Sequence, residues 1–288
     1  MNRKQYNFIE KFISYLEKSL YFFNLKSAKN LTLPDFLCIG AQKSGTTWLA
    51  ENLQCHPQIY LPMRKKKRGL RYFDLNFYST LDSYAQNFQE KYNRIQAQGE
   101  VVPDYSCIRI DRIKFIYKIM PKIKLIFLIR NPIDRAWSHA YMTLVSLKQR
   151  KYEDVKESEF YQHFQSKESL ERGDYITILD NWLSVFPPSQ LYIGFFEQIT
   201  DSPKQIMTDI FNHLEVSTDV NWNNFSIQSR ILPPRTANKD MSHINHSRIT
   251  PPMPSEYRDF LAKLYRQHIE NLHKRFGDPI KSYIDSYY

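Results

Sequence analysis

Residues 36–49 read Phe-Leu-Cys-Ile-Gly-Ala-Gln-Lys-Ser-Gly-Thr-Thr-Trp-Leu, an apolar run that passes through a glycine-bounded loop into a stretch of helical character. Phe36 to Ile39 suits a buried parallel strand. Thr46 to Gln54 suits a helix, stopped by His56-Pro57. A loop between a strand and a helix N-terminus is where a protein holds an anion: backbone N–H groups point outward, the macrodipole adds about half a positive charge, and glycine lets the backbone approach closely. Lys43, Ser44, Gly45, Thr46, Thr47 and Trp48 are the residues placed around that anion. The plainer alternative is an ordinary helix start capped by threonine.

The loop resembles the triphosphatase pattern GxxxxGK[ST], yet Thr46 follows Gly45 and the lysine lies inside the loop at position 43. A triphosphatase therefore loses its key lysine. A lysine so placed is suited to neutralise charge that builds on a leaving phosphate, with the Thr46 and Thr47 hydroxyls as further donors.

Outward from this loop the same alternation repeats. Lys124–Ile129 (KLIFLI) is a second buried strand, followed by Arg130-Asn131-Pro132 and a helix through Trp137 and Tyr141. Leu191–Phe195 (LYIGF) is a third, followed by a helix from about Ser202 to Leu214. Strands alternating with helices predict a single α/β domain with a central, mostly parallel sheet flanked by helices. Arg130 ends its strand and Ser138 lies in the next helix, so both are expected at the carboxyl edge, where a guanidinium fork and a hydroxyl suit a second phosphate. A structural ion pair for Arg130 is the alternative.

The remaining segments are less regular. Met63–Arg68 is a basic run read as a solvated loop, and Tyr152–Glu171 is a polar insertion, helical or mobile. Ile231–Pro254 holds five prolines without periodicity and is expected to be a long loop. Ser255–Phe276 reads as a helix with Ser255 as its N-cap and Gly277 at its end. Residues 1–30 place Phe8, Ile9, Phe12, Ile13, Leu16 and Leu20 at helical spacing, an amphipathic helix that packs on the domain or serves a membrane surface or a homo-oligomer.

Composition bounds the partners. The 288 residues carry 40 Lys+Arg against 30 Asp+Glu, a formal +10, which suits an anionic ligand, a nucleic acid or an acidic surface. No nucleic-acid recognition motif accompanies that charge, and no nucleic acid is expected as partner. No run reaches the about 18–20 apolar residues of a membrane span. Cys38, Cys55 and Cys107 show no metal spacing and read as free thiols of a reducing, cytoplasmic compartment. His139, His243 and His246 have no carboxylate-histidine metal spacing, so no metal is expected.

GAQKSGTTWL, with HPQIYLP, RYFD, GEVVPDY, IFLIRNPIDRAWSHAYM, FPPSQLYIGFFEQI and PPMPSEYR, resembles the sulfotransferases that use 3′-phosphoadenosine 5′-phosphosulfate (PAPS) and release adenosine 3′,5′-bisphosphate (PAP). The likeness covers most of residues 35–276 and is close to the branch of heparan sulfate sulfotransferases and bacterial small-molecule enzymes. It implies a sulfotransferase domain over residues 31–288 and no metal. It further implies that Lys43 and its loop hold the 5′-phosphosulfate and that Arg130 and Ser138 hold the 3′-phosphate. Ser247 and Arg248, ahead of Pro251-Pro252-Met253, resemble a loop that closes over the nucleotide, although the usual glycine and second basic residue are missing.

Where the branch carries Lys-Glu-x-His-[Phe/Tyr]-Phe-Asp, with the Glu as general base, this chain has Arg68-Gly69-Leu70-Arg71-Tyr72-Phe73-Asp74. Gly69 replaces the base and Arg71 the histidine. Asp74, Asp104 and His56 are left as candidate proton acceptors, beside an acceptor that needs little base assistance or a relative with altered activity. The expected acceptor is a hydroxyl or amine of a small molecule, a specialised metabolite; a carbohydrate is the runner-up, and a nucleotide kinase or a nucleic-acid-binding module are the readings from other classes.

Overall fold

The computed structural model describes residue 25 and residues 28–64, 67–77, 79–88, 94–227 and 250–285. In chain order the elements are β1 (Phe36–Gly40), α1 (Thr46–Gln54), β2 (Ile59–Tyr60), β3 (Met63–Arg64), β4 (Lys67–Arg68), α2 (Leu81–Ala85), β5 (Ala97–Val101) and α3 (Ile110–Ile119). They continue with β6 (Lys124–Ile129), α4 (Pro132–Tyr141), α5 (Glu157–Phe164), α6 (Lys167–Gly173), α7 (Tyr175–Leu183) and β7 (Leu191–Phe195). The last four are α8 (Phe196–Asp201), α9 (Pro203–Leu214), α10 (Ser255–Phe276) and α11 (Lys281–Asp285).

Five strands form one sheet in the order β2-β5-β1-β6-β7, and every pairing in it is parallel. The strands are apolar because both faces are covered. Leu37, Ile39, Leu125, Phe127 and Ile129 point to one layer, with Ile133, Tyr175, Leu179, Leu261 and Tyr265. Phe36, Cys38, Ile126 and Leu128 point to the other, with Trp48, Leu49, Leu53, Ile206, Met207 and Phe211. The alternation is the period of two along an extended chain.

All three expected strands are present, and β2 and β5 complete the sheet. β5 reads Ala-Gln-Gly-Glu-Val, so Gln98 and Glu100 interrupt the apolar run that marks a buried strand, yet all five residues are buried. Gly99 is required there, since a Cβ would lie 2.4 Å from Phe36 O.

The basic run is not an irregular loop: β3 and β4 pair antiparallel as a two-rung hairpin. The polar insertion folds into α5 and α6, with the Ser166 hydroxyl accepting from Ser169 N at the start of α6. α4 begins with Asn131 Oδ1 accepting from Ile133 N and Pro132 in its first turn. Ser255 is not the N-cap of α10. Pro254 occupies that position without a side-chain cap, so Ser255 is already helical and its hydroxyl bonds Glu256 instead. Gly277, at φ 68°, ends the helix as expected. The helix expected over 1–30 and most of the 231–254 loop, including Ser247 and Arg248, lie outside the described residues.

Candidate active site

In the sheet order, β5 flanks β1 on one side and β6 on the other, so connections run both ways from β1 and leave a crevice at the carboxyl ends of β1 and β6. The 40–45 loop and Arg130 both issue there. Lys43 takes φ 72° and Gly45 φ 88° as the chain turns into α1. A Cβ on Gly45 would lie 2.5 Å from Ile199 Cδ1, so the loop is pressed onto α8 where only glycine fits. Gly45 supplies no capping side chain to the helix start.

The loop sorts its side chains. Trp48 buries its indole in the core and Ser44 is buried with its hydroxyl beside that of Tyr175, so neither side chain faces the crevice. Their backbone N–H groups remain to serve an anion. Thr46 is buried and Thr47 exposed.

Arg130 Nη1 donates to Lys43 O at 3.0 Å, joining the two halves of the cradle. Its guanidinium lies over the Phe196 ring, 4.4 Å from the centroid. Burial pushes the Lys43 ammonium down to about 8, and the charge of Arg130 pushes the same way. No described carboxylate pairs with Lys43. Two cations side by side without an acid on one of them repel, and a polyanion relieves that repulsion. Ser138 is buried in the second turn of α4, its Oγ 3.4 Å from Thr250 Oγ1.

Across the crevice lies a chain of alternating charges. Arg71 donates through Nε to Asp74 Oδ2 at 2.8 Å and also through Nη2, and its Nη2 is 3.3 Å from Asp104 Oδ2. Arg172 Nη2 holds Asp104 Oδ1 at 2.9 Å and Glu168 Oε1 at 3.2 Å. Burial pushes the Arg71 guanidinium down, but Asp74 and Asp104 more than offset this and hold it above its ordinary value. The turn that carries Asp104 abuts the 40–45 loop: Pro103 O is 3.2 Å and Ser106 Cβ 2.9 Å from where a Cβ on Gly40 would stand. Behind it His139 is buried, its Nδ1 3.0 Å from His163 Nε2.

The structure thus brings together Asp74 and Asp104 and leaves His56 elsewhere. The His56 ring sits between Phe211 and Phe225, with Nε2 2.8 Å from Ser217 O. Gly69 adopts φ 78°, and a Cβ there would lie 2.4 Å from Val102 Cγ2, so the backbone at this position leaves no room for a side chain.

A family model described as "Sulfotransferase domain" matches residues 33–231. The chain belongs to the sulfotransferase family. Among curated relatives, this sulfotransferase is 29% identical over 272 residues to the mouse bifunctional heparan sulfate N-deacetylase/N-sulfotransferase 3, covering 88% of this chain and 31% of that protein. It is 34% identical over 126 residues to the Dictyostelium discoideum membrane-associated sulfotransferase kil1, covering 43% of this chain and 26% of that one. The sulfotransferase chain therefore spans about a third or less of the curated relatives it matches.

Two solved structures share the fold. A sulfotransferase from Alicyclobacillus acidocaldarius has TM-score 0.62 at 24% identity, covering 84% of this chain and 95% of that one. Mouse sulfotransferase SULT7A1, solved in complex with PAP, has TM-score 0.54 at 17% identity, covering 93% and 95%.

Sequence reasoning passed over three residues of this sulfotransferase site. Arg172 pairs with Asp104 across 68 positions of chain, a pairing that no local pattern marks. Phe196 carries Arg130 on its ring, and its only signal was the aromatic pair after β7. Glu100 is a buried carboxylate bonded by Tyr105, next to Asp104, hidden because a polar residue argues against a buried strand.

Proposed function

We propose that this domain transfers the sulfuryl group of PAPS to a hydroxyl or amine of a small-molecule acceptor, a specialised metabolite. The observation that carries the reading is Lys43: half-buried, without an acid partner among the described residues, and joined to Arg130 at the mouth of the crevice. When bound, the donor supplies an activated sulfuryl group and a phosphate leaving group. Lys43 then neutralises charge on the leaving side, the first-turn N–H groups of α1 orient the phosphosulfate, and Arg130 with Ser138 fixes the other phosphate. On the acceptor side Asp104 takes the proton. Its turn abuts the donor loop, whereas Asp74 is enclosed by Arg71, and Arg71 and Arg172 hold the Asp104 carboxylate in place.

Calorimetric titration with PAP tests the donor. Mass spectrometry of reactions containing PAPS and an acceptor panel tests the transfer, and absence of PAP binding overturns the reading. A carbohydrate acceptor is the second reading, favoured by the relatives named for heparan sulfate; glucosamine and oligosaccharides in the same panel decide between them. The displaced lysine speaks against a Mg²⁺-dependent kinase. The three cysteines are free, which fits a reducing compartment such as the cytoplasm. Among the described residues no helix is long and apolar enough to cross a membrane.

A further inference from the structure

Glu100 stands one residue from the carboxyl end of β5 and is 1% exposed. A carboxylate that deep is costly unless it is fully bonded. It is bonded from three separate segments. Leu70 N donates to its Oε2 at 2.6 Å. Tyr84 OH, from α2, donates to Oε1 at 2.7 Å, and Tyr105 OH donates to the same oxygen at 2.8 Å. Tyr105 OH in turn accepts from Phe73 N at 3.3 Å. Burial pushes the Glu100 carboxyl up, while these donations oppose the push by stabilising the charged form.

The segments gathered here are those that present the acceptor-side charges. Arg71 follows Leu70, Asp74 follows Phe73, and Asp104 precedes Tyr105. Arg71 reaches both carboxylates at once from a backbone at φ 57°. Glu100 itself is too enclosed to meet a substrate.

We propose that Glu100 is the positioning residue of the acceptor side, holding Arg71, Asp74 and Asp104 in register, while the donor cradle is independent of it. This rests on the sulfuryl-transfer reading. The test uses the full chain with PAPS and three probe acceptors, 4-nitrophenol, 2-phenylethanol and glucosamine, and calorimetry with PAP. Glu100→Ala is expected to lower kcat by about a hundredfold, the scale of a displacement of about 1 Å. Glu100→Gln is expected to stay within about fivefold of wild type, because its amide keeps one acceptor and both phenols can turn to accept from its NH₂. Tyr105→Phe, which keeps the buried ring, is expected to lose about tenfold. PAP affinity is expected to stay within about twofold in all three.

Glu100→Gln as damaged as Glu100→Ala overturns the proposal, as does PAP affinity falling in step with kcat. If Glu100→Ala does not fold, Tyr105→Phe decides: unchanged kcat overturns the proposal. A wild-type chain that neither binds PAP nor transfers sulfate removes the functional reading instead. The register claim is then decided by the crystal structure of Tyr105→Phe, where an intact Arg71–Asp104 contact overturns it and a broken one supports it.

Discussion

At the scale of single residues the proposed donor cradle turns on one ammonium group. Burial and Arg130 push Lys43 down to about 8, so the empty cradle releases the proton of Lys43 as pH rises through that value. A bound polyanion favours the charged form and draws the proton back. PAP binding at about pH 8.5 is therefore expected to take up a proton, read as a dependence of the calorimetric enthalpy on buffer ionisation heat. Lys43→Met is expected to abolish both the uptake and turnover; uptake that persists in this variant assigns it to another group. Opposite the cradle, two carboxylates share Arg71, but only Asp104 lies on the turn that abuts Gly40. Asp104→Asn is expected to lower kcat by about 10²-fold or more, the range for a lost general base, and Asp74→Asn by markedly less. Single-turnover rates of the two variants check the order, and equal rates dismiss Asp104 as the proton acceptor.

At the scale of elements, the segment after β4 explains why the missing base is not restored by one substitution. Gly69 holds φ 78°, and a side chain there meets Val102 Cγ2 at 2.4 Å and Val101 O at 2.9 Å, the latter rigid backbone of β5. Gly69→Glu is expected to cost about 1–3 kcal/mol of stability, as strain at positive φ does, and to leave kcat no higher than wild type. Thermal denaturation and turnover together check this, and a faster enzyme at unchanged Tm contradicts it. The elements that the sequence made legible are those whose signal is local. The strand-loop-helix at 36–54, the β6–Arg130–α4 unit and α10 show their apolar period and glycines within about a dozen residues, and their spans stand where the reading placed them, though the cap of α10 does not. β5 was not legible because its Gln98 and Glu100 are buried by tertiary partners, which override a pattern read along the chain. The same holds for the site. The 40–45 loop and Arg130 are local and were read, whereas the Asp74–Arg71–Asp104–Arg172 chain exists only after three distant segments meet.

At the scale of the whole molecule, histidines make stability depend on pH. His56, His139, His163 and His213 are each held below the ordinary histidine value, in every case chiefly by burial. His139 is the extreme: pushed down to about 2 by burial and by Arg135, His163, Arg172 and Lys43 around it, with Glu168 its nearest acid at 3.9 Å. An unfolded chain protonates these imidazoles once pH falls below about 6.5, while the folded chain keeps them neutral, so the unfolded state binds more protons. Stability contributed by the four is complete above about 6.5 and is lost as pH falls below it, for His139 continuing toward about 2. Glu100 and Glu197, held above the ordinary carboxyl value by burial, act in the opposite sense, because the folded chain takes up their protons before the unfolded one. Between pH 7.5 and pH 5.5 an unfolded imidazole passes from mostly neutral to mostly protonated while folded His139 stays neutral, so its share of the difference is about 1.4 kcal/mol over that whole window. Urea denaturation at pH 7.5 and pH 5.5 is expected to give a lower midpoint at the acid value. His139→Gln, neutral at every pH, is expected to flatten that difference by the His139 share. An unchanged pH slope in this variant places the acid sensitivity on the other three histidines.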